Sequence, residues 1–211
     1  MIRKTALALL TASITLSFQA SASDAPAKAD PEKGKALAAL CAGCHGADGN
    51  SFAPSFPHLA GQGGPYIQKQ LTQFKNGQRN NPIMLGMAAA VADEDMKHLG
   101  AWFSSQKLAK PTTPIQQEPE MAALGKKIWT AGIFAKGVPA CAGCHGANGA
   151  GLPAQYPRLA GQFTDYTATQ LKAFRAEERS NDPEKMMRMI AAKLSDKEIQ
   201  AVAEYATTLA R

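Results

Sequence analysis

The sequence has almost no long apolar runs, and the single one lies at its amino terminus. Arg3 and Lys4 form a basic start, residues 5–18 are apolar, and the small residues 20–22 form a cleavage site, as in export signals. The run is too short to cross a bilayer comfortably, and no other apolar run approaches the required length. We therefore predict a signal peptide over residues 1–22, no membrane span in the mature chain, and a bacterial periplasmic location.

A strong excess of one charge is also missing. The formal net charge is +6. Loss of Arg3 and Lys4 with the signal lowers the basic count from 23 to 21 against 17 acidic residues, which leaves +4. Aromatic residues make up only 7% of the chain, and no basic run has aromatics interleaved in it. Nucleic-acid grooves combine both features, so we predict no nucleic-acid partner.

Cysteine is scarce, and the chain's four cysteines all belong to two copies of one five-residue motif. The first copy is Cys-Ala-Gly-Cys-His at residues 41–45 and the second is the same at residues 141–145. Two thiols in one turn can form thioether bonds to the vinyl groups of haem, and the adjacent imidazole then binds the iron. We predict two covalently bound haem c groups. The attaching residues are Cys41, Cys44, Cys141 and Cys144, and the iron ligands are His45 and His145.

Three other interpretations of the cysteines compete with haem. A zinc site would need more ligands, but the other two histidines, His58 and His98, both lie in the first half, so the two zinc sites would have to differ. A thioredoxin-like motif expects a βαβ pattern that the sequence does not have. Structural disulfides are common in exported proteins. Two complete motifs at equivalent points of a repeat favour haem over all three.

The chain is an internal repeat. The residues after each motif match at an offset of 100, as in Pro-x-Leu-Ala-Gly-Gln at 57–62 and 157–162. The second copy then gains three residues. The proline-containing segment 107–119 has no helical apolar stripe and reads as a linker. We predict an all-α fold with two tandem domains, 23–106 and 120–211.

Each half is predicted to be helical, without strands. Asp30-Pro31 has the pattern of an N-cap followed by proline at the first helical position, and Ser195 with Glu198 forms a capping box. The predicted helices span 31–41, 65–76, 93–106, 121–130 and 164–177, and a last one begins at Ser195.

The second iron ligand should recur at equivalent places in both halves. Met84 and Met187 do so, on stretches that we expect to be irregular, and a thioether suits reduced iron. Three neighbouring methionines remain alternatives: Met87, Met186 and Met189. An electron carrier needs both irons to be six-coordinate, here with one histidine and one methionine each. A dihaem peroxidase instead needs a vacant or displaceable site on one iron. The paired methionines therefore favour an electron carrier that is not an enzyme.

Other repeated residues receive weaker assignments. Backbone carbonyls near Pro57 and Pro157 could orient the proximal imidazoles. His58 stands opposite Arg158 in the repeat and His98 opposite Ala201, so both are expected at the surface. Four further side chains could contact haem propionates or simply pack: Tyr66, Tyr166, Arg79 and Arg179.

With these motifs the chain resembles the cytochrome c4 family of periplasmic dihaem cytochromes, over residues 30–209. The resemblance implies two class I cytochrome c domains whose haems face each other across an interface with their propionate edges close. It also implies electron transfer in a respiratory chain, from a partner such as a membrane cytochrome complex to a terminal oxidase. The three-residue difference before the second methionine departs from strict repetition. A subunit of a larger complex is a further alternative to a free shuttle.

Overall fold

The computed structural model describes residues 28–109, 117–152 and 155–209. The predicted signal peptide lies outside the described residues, as do positions 110–116 of the predicted linker. No helix within the described ranges is long and apolar enough to cross a membrane.

Over residues 28–109, the first half contains five α-helices. Asp30 Oδ1 accepts hydrogen bonds from the backbone N–H groups of Glu32 and Lys33 at 2.9 and 3.3 Å, and Pro31 is the first helical residue. This satisfies free N–H groups at the start of the first helix, as the sequence predicted. The helices are α1 (Pro31–Leu37), α2 (Ala42–His45), α3 (Gly64–Lys75), α4 (Pro82–Ala89) and α5 (Asp93–Ser105).

The second half repeats this order. The predicted capping box is confirmed: the Ser195 hydroxyl accepts from the Glu198 N–H, and the Glu198 carboxylate accepts from the Ser195 N–H at 2.7 Å. The helices are α6 (Pro119–Ala131), α7 (Ala142–His145), α8 (Thr164–Arg175), α9 (Met186–Ala191) and α10 (Asp196–Thr208).

The fold is all-α, as predicted. Within the ranges that the structure describes, three short 3₁₀ turns join the helices, at Ala38–Leu40, Phe134–Lys136 and Pro183–Lys185. In the described part of the chain, extended pairing is limited to two isolated antiparallel bridges, Ile133 with Val138 and Leu152 with Tyr156.

The first and last helices of each half cross at a glycine. In the first half α1 packs on α5, with Gly34 against the backbone carbonyl of His98; in the second, α6 packs on α10, with Gly125 against the carbonyl of Ala201. A Cβ at either glycine would collide with that carbonyl. The two halves therefore share one close helix crossing, and α3 and α8 pack beside it.

Each half has its own apolar core behind this crossing. Met96, Leu99 and Phe103 of α5 are almost completely buried in the first half, as are Ile128 and Trp129 of α6 in the second. Burial of each such side chain contributes roughly 1.5–3 kcal/mol. Met96 therefore fills the core.

The prediction of irregular chain around Met84 and Met187 was wrong, because both residues lie in short helices. Asn81 caps α4 through Oδ1, which accepts from the Met84 N–H at 2.9 Å, and Pro82 occupies the first helical position. In the second half the inserted residues form a 3₁₀ turn in which Glu184 and Lys185 have positive φ angles of 51° and 57°. Helix α9 follows directly.

Candidate functional site

The first cysteine motif folds as a single helical turn. The Cys41 carbonyl accepts hydrogen bonds from the N–H groups of Cys44 and His45 at 3.3 and 3.0 Å. Cys41 is the N-cap of the short helix α2, and Cys44 and His45 are its last two residues. All three side chains line one cavity. Gly46 follows with a φ of 78°, a conformation that favours glycine, and ends the helix directly after His45.

The His45 imidazole is buried and oriented by a backbone carbonyl. Its Nδ1–H donates to the Pro57 oxygen at 2.8 Å, and only 7% of the residue is exposed. Because a carbonyl only accepts, the proton must be on Nδ1 and the Nε2 lone pair is free to bind a metal. Burial lowers the pKa of His45, which favours this neutral form.

The second motif reproduces this geometry. His145 Nδ1–H donates to the Pro157 oxygen at 2.9 Å, and burial lowers the pKa of His145 as well. An aromatic ring meets each imidazole edge-on: Phe56 at 6.2 Å from His45 and Tyr156 at 6.1 Å from His145, between ring centroids. Both histidines thus present Nε2 in the same way.

No disulfide joins any of the four cysteines, all of which lie within the described residues. Burial is the main cause that raises the pKa of Cys41 and of Cys141 to about 11, so both thiols are protonated at neutral pH. Within the described residues, no cluster of three or more His, Cys, Asp and Glu side chains is arranged to hold a metal ion by itself. The geometry therefore gives no support to the disulfide or zinc alternatives.

Both motifs open into one cavity of about 610 Å³ that is shared by the two halves. Its walls include apolar side chains such as Leu71 and Phe74 of the first half and Leu171 and Phe174 of the second. An apolar space with a pair of thiols and a free imidazole nitrogen at each motif suits a flat apolar cofactor that bears vinyl groups. The donor set therefore fits haem c.

The candidate methionine ligands line the same cavity. Met84 is partly buried in its wall, and so are Met87, Met186 and Met187. Met189 is 56% exposed and is not part of the lining. Met84 and Met187 each precede a fully buried alanine by four residues, Ala88 and Ala191, so they occupy equivalent helical positions.

Two arginines cross between the halves at this cavity. Arg79 donates to the Tyr166 hydroxyl at 2.9 Å and Arg179 donates to the Tyr66 hydroxyl at 3.0 Å. Arg79 is only 7% exposed. No carboxylate in the described ranges forms an ion pair with either guanidinium. Burial favours the neutral Tyr66 phenol, but Arg179 and Arg79 outweigh this and lower the pKa of Tyr66. The cavity wall therefore carries two positive charges, one on the buried Arg79 and one on the partly buried Arg179.

A pair of glutamines for which no role was predicted also joins the halves. Gln162 accepts from the His58 N–H and donates to the His58 carbonyl, both at 3.0 Å. Gln62 accepts from the Arg158 N–H at 2.8 Å and donates to the Arg158 carbonyl at 3.0 Å. Their recurrence in both copies of the repeat was a signal, but repetition alone does not reveal a partner in the other half.

Two expectations about the remaining histidines were wrong. His58 is half-buried and stacks on Phe163 of the second half, with 4.1 Å between ring centroids. His98 is buried, and its Nδ1 accepts from the Asp30 N–H at 2.8 Å at the start of α1. Comparison of the two repeats misled here, because the second half fills these positions with Arg158 and Ala201.

Comparison with known proteins defines the class first. The cytochrome c family matches the chain twice, over residues 31–107 and 122–210. Each half is therefore a cytochrome c domain, and the chain carries two covalently bound haem c groups.

Individual relatives define the family. A cytochrome c4 of Pseudomonas aeruginosa is 44% identical over 183 residues, which cover 86% of this chain and 89% of that protein. The crystal structure of reduced recombinant cytochrome c4 from Pseudomonas stutzeri matches with a TM-score of 0.80 at 42% identity, and covers 85% of this chain and 98% of that one. The chain belongs to the cytochrome c4 family, whose members are dihaem electron carriers.

One further relative has a different name. A protein of Stutzerimonas stutzeri named thiosulfate dehydrogenase electron acceptor is 40% identical over 195 residues, which cover 92% of this chain and 90% of that protein.

Proposed function

We propose that this protein is a periplasmic electron carrier in which each iron is closed by one histidine and one methionine. The supporting observation is the pair of equivalent sites on one cavity, with His45 and Met84 in the first and His145 and Met187 in the second. When bound, each haem iron accepts and releases one electron. The chain's residues attach the haem through the cysteines and orient the imidazoles.

For the second iron we propose Met187 rather than its neighbours. Met187 matches Met84 in its spacing to a buried alanine, and Met189 is outside the cavity wall. Met186 remains in the wall and is the matched comparison. A methionine ligand raises the reduction potential relative to a second histidine.

The two arginines of the cavity wall support the same arrangement. Arg79 and Arg179 line the cavity without a carboxylate partner in the described part of the chain, and a buried charge such as that of Arg79 is normally paired. We propose that they neutralise the propionate groups of the haems. Tyr66 and Tyr166, which already contact the guanidinium groups, would complete this polar region.

The domain limits and the location are part of the proposal. Domains over 23–106 and 120–211, joined by a linker over 107–119, place one motif and one proposed methionine ligand in each. A signal peptide over residues 1–22 would deliver the chain to the periplasm, where c-type haem is attached. The partners would be redox proteins, with a membrane cytochrome complex as donor and a terminal oxidase as acceptor.

A second electron source has specific support. The thiosulfate dehydrogenase electron acceptor of Stutzerimonas stutzeri covers nearly the whole chain. Stopped-flow reduction of the pure holoprotein by a thiosulfate dehydrogenase with thiosulfate, beside reduction by a membrane cytochrome complex, compares the two donors. The physiological donor should reduce the protein at least about tenfold faster than the other donor does, because association rate constants of related protein pairs differ by about one to three decades.

Peroxide turnover by the holoprotein tests the proposal that it is not an enzyme. With both irons closed, hydrogen peroxide should be consumed no faster than by a denatured control of equal haem content. Sustained turnover together with a high-spin iron spectrum would instead assign a peroxidase. Size-exclusion chromatography and pull-down from native membranes separate a free shuttle from a subunit of a larger complex.

A further inference from the structure

The amide between Pro57 and His58 has a hydrogen bond on each side. Its carbonyl oxygen accepts from His45 Nδ1–H at 2.8 Å, and its N–H donates to Gln162 of the second domain at 3.0 Å. A single peptide group therefore connects the imidazole of one domain to a side chain of the other.

The second domain has the equivalent arrangement, with the roles of the two domains exchanged. The amide between Pro157 and Arg158 accepts from His145 Nδ1–H at 2.9 Å and donates to Gln62 of the first domain at 2.8 Å. Each glutamine is only 8% exposed. Because the contact recurs with near-equal distances in both directions, it is a built feature of the interface.

Hydrogen bonds on the two sides of one amide reinforce each other. When the N–H donates, the negative charge on the carbonyl oxygen of the same amide increases. The hydrogen bond that this oxygen accepts then becomes stronger, by roughly 10–30%. The stronger acceptor draws the Nδ1–H proton of the imidazole and makes the ring more basic. A more basic imidazole stabilises the oxidised iron more than the reduced iron, which lowers the reduction potential.

We infer that Gln62 and Gln162 are positioning residues that tune the haem of the opposite domain: Gln162 acts on the His45 haem and Gln62 on the His145 haem. The inference rests on His45 and His145 binding iron, which is part of the proposed function. The domain interface thereby controls both centres directly, through one side chain and one peptide group in each direction.

The test is a redox titration of the holoprotein with Gln162→Leu and Gln62→Leu. Gln162→Leu should raise the reduction potential of the His45 haem. The rise should correspond to a change of up to about tenfold in the reduction equilibrium constant, which is about 59 mV for one electron. The His145 haem should shift less. In Gln62→Leu, the His145 haem should show the larger rise in potential and the His45 haem the smaller one. NMR of the histidine ring should show the His45 Nδ1–H signal move only in Gln162→Leu, and the His145 signal only in Gln62→Leu.

Two controls separate tuning from simple loosening of the interface. Phe163→Ala removes the stacking on His58 but leaves both peptide hydrogen bonds. This variant should not shift the potential of the His45 haem more than that of the His145 haem. Gln162→Glu keeps an acceptor for the His58 N–H and adds negative charge, so it should not raise the His45 haem potential. It also provides a readout if the leucine variant fails to fold.

Some outcomes would overturn the inference. Equal shifts of both haems, a larger shift of the haem in the same domain as the variant, or an unchanged histidine signal would show that the glutamines only hold the domains together. Loss of methionine signals in the unaltered protein would instead contradict the proposed ligation, and the histidine signals would still decide the role of the glutamines.

Discussion

Gly34 lies directly against the backbone carbonyl of His98, which leaves no room for a side chain at the crossing of α1 and α5. The equivalent contact in the second domain joins Gly125 to Ala201. In the first domain, α1 leads through the 3₁₀ turn Ala38–Leu40 directly to the haem-attachment turn at Cys41.

Gly34→Ala should destabilise the holoprotein. The added Cβ must displace the backbone carbonyl of His98, and overpacking of this kind costs roughly 1–3 kcal/mol. Chemical denaturation followed by circular dichroism measures the loss. Gly86→Ala is the matched control, because nothing lies within 4 Å of a Cβ there; a similar loss in both variants would contradict the role of the crossing.

Met84→Ala should lower the potential of one haem and leave the other nearly unchanged, because the thioether ligand is lost from one iron only. Spectroelectrochemical titration resolves the two potentials. Met87→Ala, which alters the same cavity wall, should change neither greatly. Loss of both methionine signatures in Met84→Ala would show that the domains are not independent.

Glu177→Gly should stabilise the protein by about 1 kcal/mol. Glu177 follows α8 with a φ of 59°, where the first domain has Gly77 at 77°, and a left-handed non-glycine residue costs roughly 1–2 kcal/mol. The weak pair with Arg188, at 3.7 Å, offsets little because the Glu177 side chain is exposed. The thermal midpoint should rise by about 2–4 °C.

Glu178→Gly is the control for this substitution. Glu178 is exposed and has no positive φ, so glycine there should only add freedom to the unfolded chain and lower stability slightly. An equal rise in both variants would contradict the backbone explanation.

Glu198→Gln should destabilise the second domain by roughly 0.3–1 kcal/mol at pH 7, because glutamine keeps the capping-box acceptor but loses the charge near Lys136 and the helix N-terminus. The Glu198 carboxylate accepts from Lys136 at 2.7 Å and from the Ser195 N–H at 2.7 Å. Burial favours the neutral acid, but these hydrogen bonds outweigh it and lower the pKa of Glu198 below its usual 4.5.

The pH dependence of this difference follows from the sign of the shift. A carboxyl whose pKa is lower in the folded state contributes its full stability above pH 4.5 and loses it as the pH falls through the folded value. The stabilities of the two proteins should therefore converge in acid when measured by denaturation at a series of pH values. A constant difference down to pH 2 would contradict the ionic contribution.

Much of this architecture follows from local patterns. The Asp30-Pro31 and Ser195–Glu198 caps, the helical periodicity and the repeated motif predict helices and haem attachment, and the Pro57 carbonyl lies where a proximal imidazole needs it. Helix α4 was missed although Asn81-Pro82 carries the same cap-and-proline pattern, because this eight-residue helix is apolar nearly all round and shows no one-sided apolar stripe.

Contacts between the domains could not be predicted in this way. The Gln62 and Gln162 hydrogen bonds join residues about one domain apart, and no local periodicity encodes such a pair. The buried His98 and the stacked His58 were missed for a related reason, since each depends on a neighbour that the other repeat replaces.

Paramagnetic NMR of the axial methionine methyl groups, recorded through a redox titration of the unaltered holoprotein, tests the central claim most directly. Two closed irons predict two separate low-spin methionine methyl signals, assigned to Met84 and Met187, each titrating with its own one-electron transition. A high-spin iron without a methionine signal in either domain would contradict the account.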